Sequence, residues 1–185
     1  MSEELDKLTF VEGAVEAAGF VKAEGDYVIL FKGNSITRHA FTPKTAVNLG
    51  WDHESGMAAS SSDKDYVHLF ARGVQRQLLG RRVRVVIGRC GRPELARLGL
   101  EEERVFAPDL VVIQNGEHSA FAPEVDRFEE QHCRLIQETK ASFPGAGIIS
   151  VGIWNPRCRE EFATCTAPDY DECARRVEAI QRHVA

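Results

Sequence analysis

The stretch from residue 27 to residue 37 decides the fold. It reads Tyr27-Val-Ile-Leu-Phe31 and continues as Lys32-Gly-Asn-Ser-Ile-Thr37. The first five residues are apolar and the run stops at glycine and asparagine, a pattern typical of a buried strand that ends in a turn. Ser35 therefore falls at the carboxyl end of a strand, where open α/β sheets bind ligands. Such a serine is a candidate for chemistry, and the alternative is a turn serine that caps a helix.

Size and charge narrow the classes of protein to consider. The chain has 185 residues, 43% of them hydrophobic, and a formal net charge of −5. This length suits one domain, which we expect to span 1–185. The negative charge argues against a protein whose main task is binding nucleic acid. No segment is long enough to cross a bilayer, and the N-terminus lacks a signal-peptide core, so we expect a cytoplasmic protein without a membrane partner.

The cysteines indicate reduced thiols. There are five: Cys90, Cys133, Cys158, Cys165 and Cys173. Their odd number and the absence of Cys-x-x-Cys favour a reducing compartment. The last three, with His183, form a candidate zinc set, but their spacing matches no metal motif. We therefore predict neither a metal nor a cofactor.

Strands and helices alternate after the first strand. Continuous apolar runs predict further strands over 83–87, 109–114 and 148–154, and an amphipathic helix beginning at Ser62 or Asp63 is expected to end at Gly80. A second helix begins at Pro123 or Glu124, and a last one opens at Asp169 or Asp171. The expected inner face of the second helix is Val125, Phe128, His132, Leu135, Ile136 and Thr139. Apolar rather than alternating strands predict a parallel sheet covered on both faces.

The ends of the predicted strands bring polar segments to one edge of the sheet. These segments are 33–35, 115–118 and 154–156. Because the carboxyl ends of parallel strands share an edge, we expect the three segments to form one site. A Gly/Ser-rich connection over 42–62 is too long for a plain turn, and long loops often carry function. Residues 1–26 are expected to form an N-terminal extension, with a short helix or irregular strands in 8–18.

Ordered motifs resemble the SGNH, or GDSL-type, hydrolases. The matching blocks are Gly33-Asn-Ser-Ile-Thr37 with His39, Gly50-Trp51, Gly56-Met-Ala-Ala-Ser60, Asp65-Tyr-Val-His68, and Pro108-Asp-Leu-Val-Val-Ile-Gln114 with Gly116-Glu117. They cover about residues 27–155 and occur in the family's order. The resemblance implies a flavodoxin-like, three-layer α/β/α sandwich with a mainly parallel sheet. It also implies hydrolysis of a small-molecule ester or acyl group.

The resemblance also implies roles for individual residues. Ser35 is the expected nucleophile, and its hydroxyl needs a base to remove the proton. The oxyanion donors are expected to be the Ser35 N–H, the Gly56 N–H and His118, which stands where the family usually has asparagine. The candidate substrate-binding residues are Asn34, His39, Trp51, Asn115, Glu117 and Trp154. For the two tryptophans, core packing is an equal alternative to stacking on a substrate.

The sequence departs from the family at its end. The family's last block, Asp-x-x-His, supplies the base and its acidic partner, and no such motif occurs after residue 156. We expect a C-terminally incomplete enzyme with weak activity, in which 156–185 forms the terminal helix region. The alternative is a pseudoenzyme that binds an acylated or glycosylated ligand. A flavodoxin-like nucleotide binder is a third hypothesis, although no glycine-rich phosphate loop is present. The sequence predicts no oligomeric state.

Overall fold

The computed structural model describes residues 9–12, 19–39, 43–50, 55–57, 59–119, 124–153 and 170–184. Five strands and five α-helices occur in this part of the chain. In order, they are β1 (Thr9–Glu12), β2 (Asp26–Gly33), α1 (Pro43–Leu49), α2 (Tyr66–Gln77), β3 (Arg82–Ile87), α3 (Pro93–Arg97), β4 (Leu110–Gln114), α4 (Glu124–Ser142), β5 (Gly147–Val151) and α5 (Tyr170–Val184). Short 3-10 helices cover Ser62–Lys64, Glu102–Phe106 and Glu117–Ser119.

The strands form one parallel sheet. Their order is β1-β3-β2-β4-β5, and every neighbouring pair is parallel. From β2 the chain moves to β3 on one side and then returns to β4 on the other. The carboxyl ends of β2 and β4 therefore flank a topological switch point, the place where open α/β sheets bind ligands. In this pair, Gly33 lies opposite Gln114.

Helices cover both faces of the sheet. On one face, Phe31 and Val85 pack in an apolar cluster with Val67 and Ala71 of α2. The other face packs against α3 and α4 through a cluster of Val28, Leu30, Val86, Ala96, Val111, Ile113, Leu135 and Ile136. Helix α5 packs beside α4, where Val177 joins a cluster with Phe128. This arrangement confirms the predicted three-layer α/β/α fold.

Apolar periodicity predicted the large elements correctly. All six inner-face residues expected on α4 are buried. The predicted strands at 27–31, 83–87 and 109–114 correspond to β2, β3 and β4. The last strand is shorter than predicted, since β5 ends at Val151 rather than Trp154. Trp154 lies outside the described residues.

Short elements were missed or misplaced. The 42–62 connection contains α1, and α3 was not predicted because five residues are too few to show a helical period. The N-terminal extension includes β1, which pairs with β3 as an edge strand of the sheet. The cap of α2 is Asp65, not Ser62 or Asp63, since its side chain accepts the His68 N–H. This helix ends at Gln77, three residues before Gly80.

A fully buried histidine lies on the inner face of α4. His132 is fully buried, stacks on Phe128 with ring centroids 5.1 Å apart, and has Nε2 3.1 Å from the Ser150 hydroxyl oxygen. Its Nδ1 has no partner among the described residues. Burial lowers the pKa of His132 to about 4. The folded protein therefore holds this ring neutral.

The buried histidine predicts a loss of stability in acid. Because the unfolded chain takes up this proton near pH 6.5, the folded state loses stability as the pH falls from 6.5 to about 4. For this one group the loss approaches roughly 3 kcal/mol in the free energy of unfolding. Urea unfolding between pH 7 and pH 4 should show a shallower pH dependence for His132→Leu than for wild type. The exposed His183 provides the control, and His183→Leu should keep the wild-type dependence. Equal slopes for wild type and His132→Leu would contradict this account.

Candidate active site

Ser35 lies in a tight turn directly after β2. The Thr37 and Arg38 N–H groups donate to the Asn34 carbonyl over 3.0 and 3.1 Å. The Asn34 side-chain oxygen accepts the Ile36 N–H over 2.9 Å, which is the geometry of an Asx turn. Ser35 is partly exposed within this turn. The sequence prediction that Ser35 follows a buried strand at the carboxyl edge of the sheet is confirmed.

The segment containing Gly56 runs beside this turn. The His39 N–H donates to the Ser55 carbonyl over 2.8 Å, and the two residues form an isolated antiparallel bridge. The Met57 N–H donates to the Ser35 carbonyl over 2.9 Å. These two bonds place Gly56 next to the Ser35 turn, although the two segments are about 20 residues apart in the chain.

Gly56 occupies a position that no larger residue fits. A Cβ there would lie 2.1 Å from the backbone carbonyl oxygen of Ile36. The Gly56 N–H donates to the buried carboxylate of Asp65 over 3.2 Å. That carboxylate also accepts the His68 N–H and lies 2.7 Å from the His68 Nδ1. Burial raises the pKa of Asp65, but its hydrogen bonds with His68 and Gly56 together lower the pKa by more, so the net shift is downward.

A second carboxylate joins the ends of β2 and β4. Glu117 accepts hydrogen bonds from the side-chain amides of Asn34 and Gln114, one at each carboxylate oxygen. The Thr37 hydroxyl donates to the Gln114 side-chain oxygen over 3.4 Å and lies 2.8 Å from the Tyr66 hydroxyl. Desolvation raises the pKa of Tyr66, so this phenol stays protonated. The network links the Ser35 turn to β4 and to the start of α2.

The remaining candidate residues are dispersed. His118 is exposed on the 3-10 helix Glu117–Ser119. Asn115 is buried, and its carbonyl accepts from the Gln181 side chain over 2.7 Å. Neither polar atom of the Asn115 side chain has a partner among the described residues. Trp51 and Trp154 lie outside those residues. The structure thus brings together Asn34, Ser35, Gly56 and Glu117.

An apolar cavity lies next to the Gly56 segment. It has a volume of about 420 Å³ and lies where the start of α2 meets the ends of β4 and β5. Its apolar lining comprises Ile36, Ala59, Leu69, Val151 and Ile153. Sequence analysis missed this cavity because its walls come from distant segments, each of which looks like ordinary core or loop. Its size is within the range of small-molecule sites.

The described residues contain neither a metal-ligand cluster nor a membrane-spanning helix. Within the residues that the structure describes, no group of three or more His, Cys, Asp or Glu side chains is arranged to hold a metal ion. No described helix is both long and apolar enough to cross a bilayer.

The comparisons with known proteins concern the fold. No protein-family model matches the sequence, and no curated protein matches it. The solved structure of TesA is similar over 85% of this chain and 74% of its own, with 21% identity and a TM-score of 0.54. A GDSL-like lipase from Parabacteroides merdae ATCC 43184 is similar over 89% of this chain and 77% of its own, with 19% identity and a TM-score of 0.53. The chain shares the fold of a GDSL-like lipase. At this identity the likeness establishes the fold, and the residue roles above stay predictions.

The tight approach at Gly56 predicts opposite effects of alanine at two glycines. Gly56→Ala should lower the free energy of unfolding by about 1–3 kcal/mol, because the new Cβ collides with the Ile36 carbonyl. Gly73→Ala is the matched control: it lies within α2, has open space around it, and should gain about 0.5–1 kcal/mol. Urea unfolding of both variants measures the difference. A Gly56→Ala variant as stable as wild type would contradict the geometry.

Proposed function

We propose that this protein is a serine ester hydrolase. The Ser35 hydroxyl loses its proton and attacks the acyl carbon of a small ester, the alcohol leaves with that proton, and water then releases the acid from Ser35. The observation that supports the proposal most strongly is the Asx turn that holds Ser35 at the switch point between β2 and β4. A second support is the Gly56 segment, which is hydrogen-bonded to the same turn. The fold shared with a GDSL-like lipase agrees with this reaction class.

The negative oxygen of the tetrahedral intermediate needs preorganised donors. We assign the Ser35 N–H as the first donor, because it has no acceptor among the described residues. The Gly56 N–H is the second donor by resemblance, and it must exchange its bond with Asp65 for one with the substrate. His118, which follows Glu117 on the same 3-10 helix, is the third donor proposed, by resemblance. Asn34 and Glu117 then orient the turn rather than the substrate.

The apolar cavity suggests where the acyl group binds. Its wall surface is mostly apolar, although Lys64 and Asp65 also line it, and it shares Ile36 and Gly56 with the nucleophile turn and its neighbour. An unbranched acyl chain would bury apolar surface there at about 25 cal/mol per Å². We therefore propose esters of aliphatic acids as the substrate class.

One observation favours a second candidate function. The Gly56 N–H already donates to a buried carboxylate, so a substrate oxygen must compete with a strong acceptor. A protein in which this exchange does not occur would bind an acylated ligand without turning it over. This pseudoenzyme and the hydrolase differ in whether Ser35 forms a covalent bond.

Replacing the nucleophile tests the hydrolase directly. Ser35→Ala should reduce kcat/KM on p-nitrophenyl butyrate by about 100-fold or more, since no hydroxyl remains to attack. It should also abolish covalent labelling by a fluorophosphonate probe. Ser142→Ala, which changes a serine at the end of α4, is the control and should behave as wild type. Equal turnover by Ser35→Ala and wild type would contradict the proposal, whereas saturable ligand binding without labelling would favour the pseudoenzyme.

Filling the cavity tests the acyl site separately. Ala59→Phe should lower kcat/KM for p-nitrophenyl hexanoate by about tenfold while leaving p-nitrophenyl acetate within about twofold, because only the longer chain needs the space. Leu79→Phe is the control, since Leu79 is exposed just before β3 at the opposite edge of the sheet. Equal losses on both esters would place the acyl chain elsewhere.

A further inference from the structure

Glu117 ties together the two strand ends that flank Ser35. Its carboxylate accepts from the side-chain amide of Asn34, which follows β2, and from that of Gln114, which ends β4. An ionised carboxylate accepts hydrogen bonds and donates none. Both amides must therefore present their NH₂ groups to Glu117.

This requirement fixes the orientation of the Asn34 side chain. With its NH₂ group on Glu117, the Asn34 side-chain oxygen faces the Ile36 N–H, 2.9 Å away. That bond closes the Asx turn around Ser35. The carboxylate thus acts on the nucleophile through one intermediate side chain.

The same requirement fixes the orientation of the Gln114 side chain. With the Gln114 NH₂ group on Glu117, its oxygen faces the Thr37 hydroxyl. Thr37 donates to that oxygen and accepts from the Tyr66 hydroxyl, 2.8 Å away. The donors therefore run in one direction, from Tyr66 through Thr37 and Gln114 to the carboxylate.

We infer that Glu117 is a positioning residue that holds the Ser35 turn by fixing the amide of Asn34. The inference rests on the proposed function only where it calls Ser35 a nucleophile, because the hydrogen bonds concern the turn itself. A glutamine at position 117 would keep one acceptor for Asn34 and could donate its own NH₂ group to a rotated Gln114 amide. Removing both acceptor oxygens leaves the Asn34 amide free to rotate, and rotation of Asn34 removes the bond to Ile36.

Hydrogen exchange measured by NMR tests the inference without any catalytic activity. In Glu117→Ala, which removes both acceptor oxygens, the Ile36 amide should exchange about tenfold faster than in wild type, as expected for the loss of one hydrogen bond. The amides of residues 28–31 in β2 should be unchanged. Glu130→Ala, an equivalent change at an exposed glutamate on α4, is the control and should match wild type throughout. Glu117→Asp keeps two acceptor oxygens and should stay within about threefold of wild type. Glu117→Leu, which also lacks an acceptor, replaces Glu117→Ala if that variant does not fold.

Labelling of Ser35 then connects the turn to reactivity. Glu117→Ala should be labelled by a fluorophosphonate about tenfold more slowly than wild type, and kcat should fall while KM stays within about twofold. A residue that only stabilises the fold would change neither value in folded protein. Unchanged exchange at Ile36 in Glu117→Ala would overturn the inference. If wild type is never labelled, the hydrolase proposal fails, and the exchange rates still decide the role of Glu117.

Discussion

The close approach of β2 to β4 at their carboxyl ends is the constraint on which the site depends. Gly33 lies so near β4 that a Cβ would be 2.4 Å from the Gln114 carbonyl oxygen and 1.9 Å from the Thr37 hydroxyl oxygen. Only glycine lets the chain end the strand here and fold back over it. Because of that fold, Asn34 reaches Glu117, and Ser35 stays at the edge of the sheet.

Two carboxylates bind residues at the end of β2: Glu103 pairs with Lys32, and Glu117 accepts from Asn34. Lys32, fully buried one residue before Gly33, pairs with Glu103, which also accepts the Arg89 N–H over 2.6 Å. Burial lowers the pKa of Lys32, and the charge of Glu103 opposes that shift. Breaking such a pair by removing one partner is costly, because it leaves a buried charge uncompensated. Glu103 thus anchors the strand below the turn, and Glu117 anchors the turn itself.

Local patterns in the sequence were enough for the sheet and its main helices. Apolar runs specify buried strands, and the spacing of residues such as Phe128 and Leu135 specifies the inner face of α4. The cap of α2 was misplaced because Ser62, Asp63 and Asp65 all fit a capping pattern locally. Only the three-dimensional arrangement, in which Asp65 also accepts from Gly56, selects one of them.

The site itself could be predicted only in part. A motif indicated Ser35 and Gly56, but the contact between Glu117 and Asn34 spans 83 residues and has no local signal. The same holds for the contact of Gly56 with Ile36, which depends on a bridge between His39 and Ser55. Partner choice over such separations is set by sheet topology, which local periodicity does not encode.

The two site carboxylates have opposite consequences for chemistry at Ser35. Glu117 accepts the side-chain amides of Asn34 and Gln114, and the Ser35 N–H has no acceptor among the described residues. Asp65 accepts a backbone N–H that an oxyanion would need. To bind the Gly56 N–H, a developing oxyanion must displace the ionised Asp65 carboxylate. This displacement costs more free energy than a hydrogen bond to a donor that has no other acceptor. In the proposed hydrolase, the Ser35 N–H is therefore the first donor open to a substrate, and the Gly56 N–H becomes the second only when it leaves Asp65.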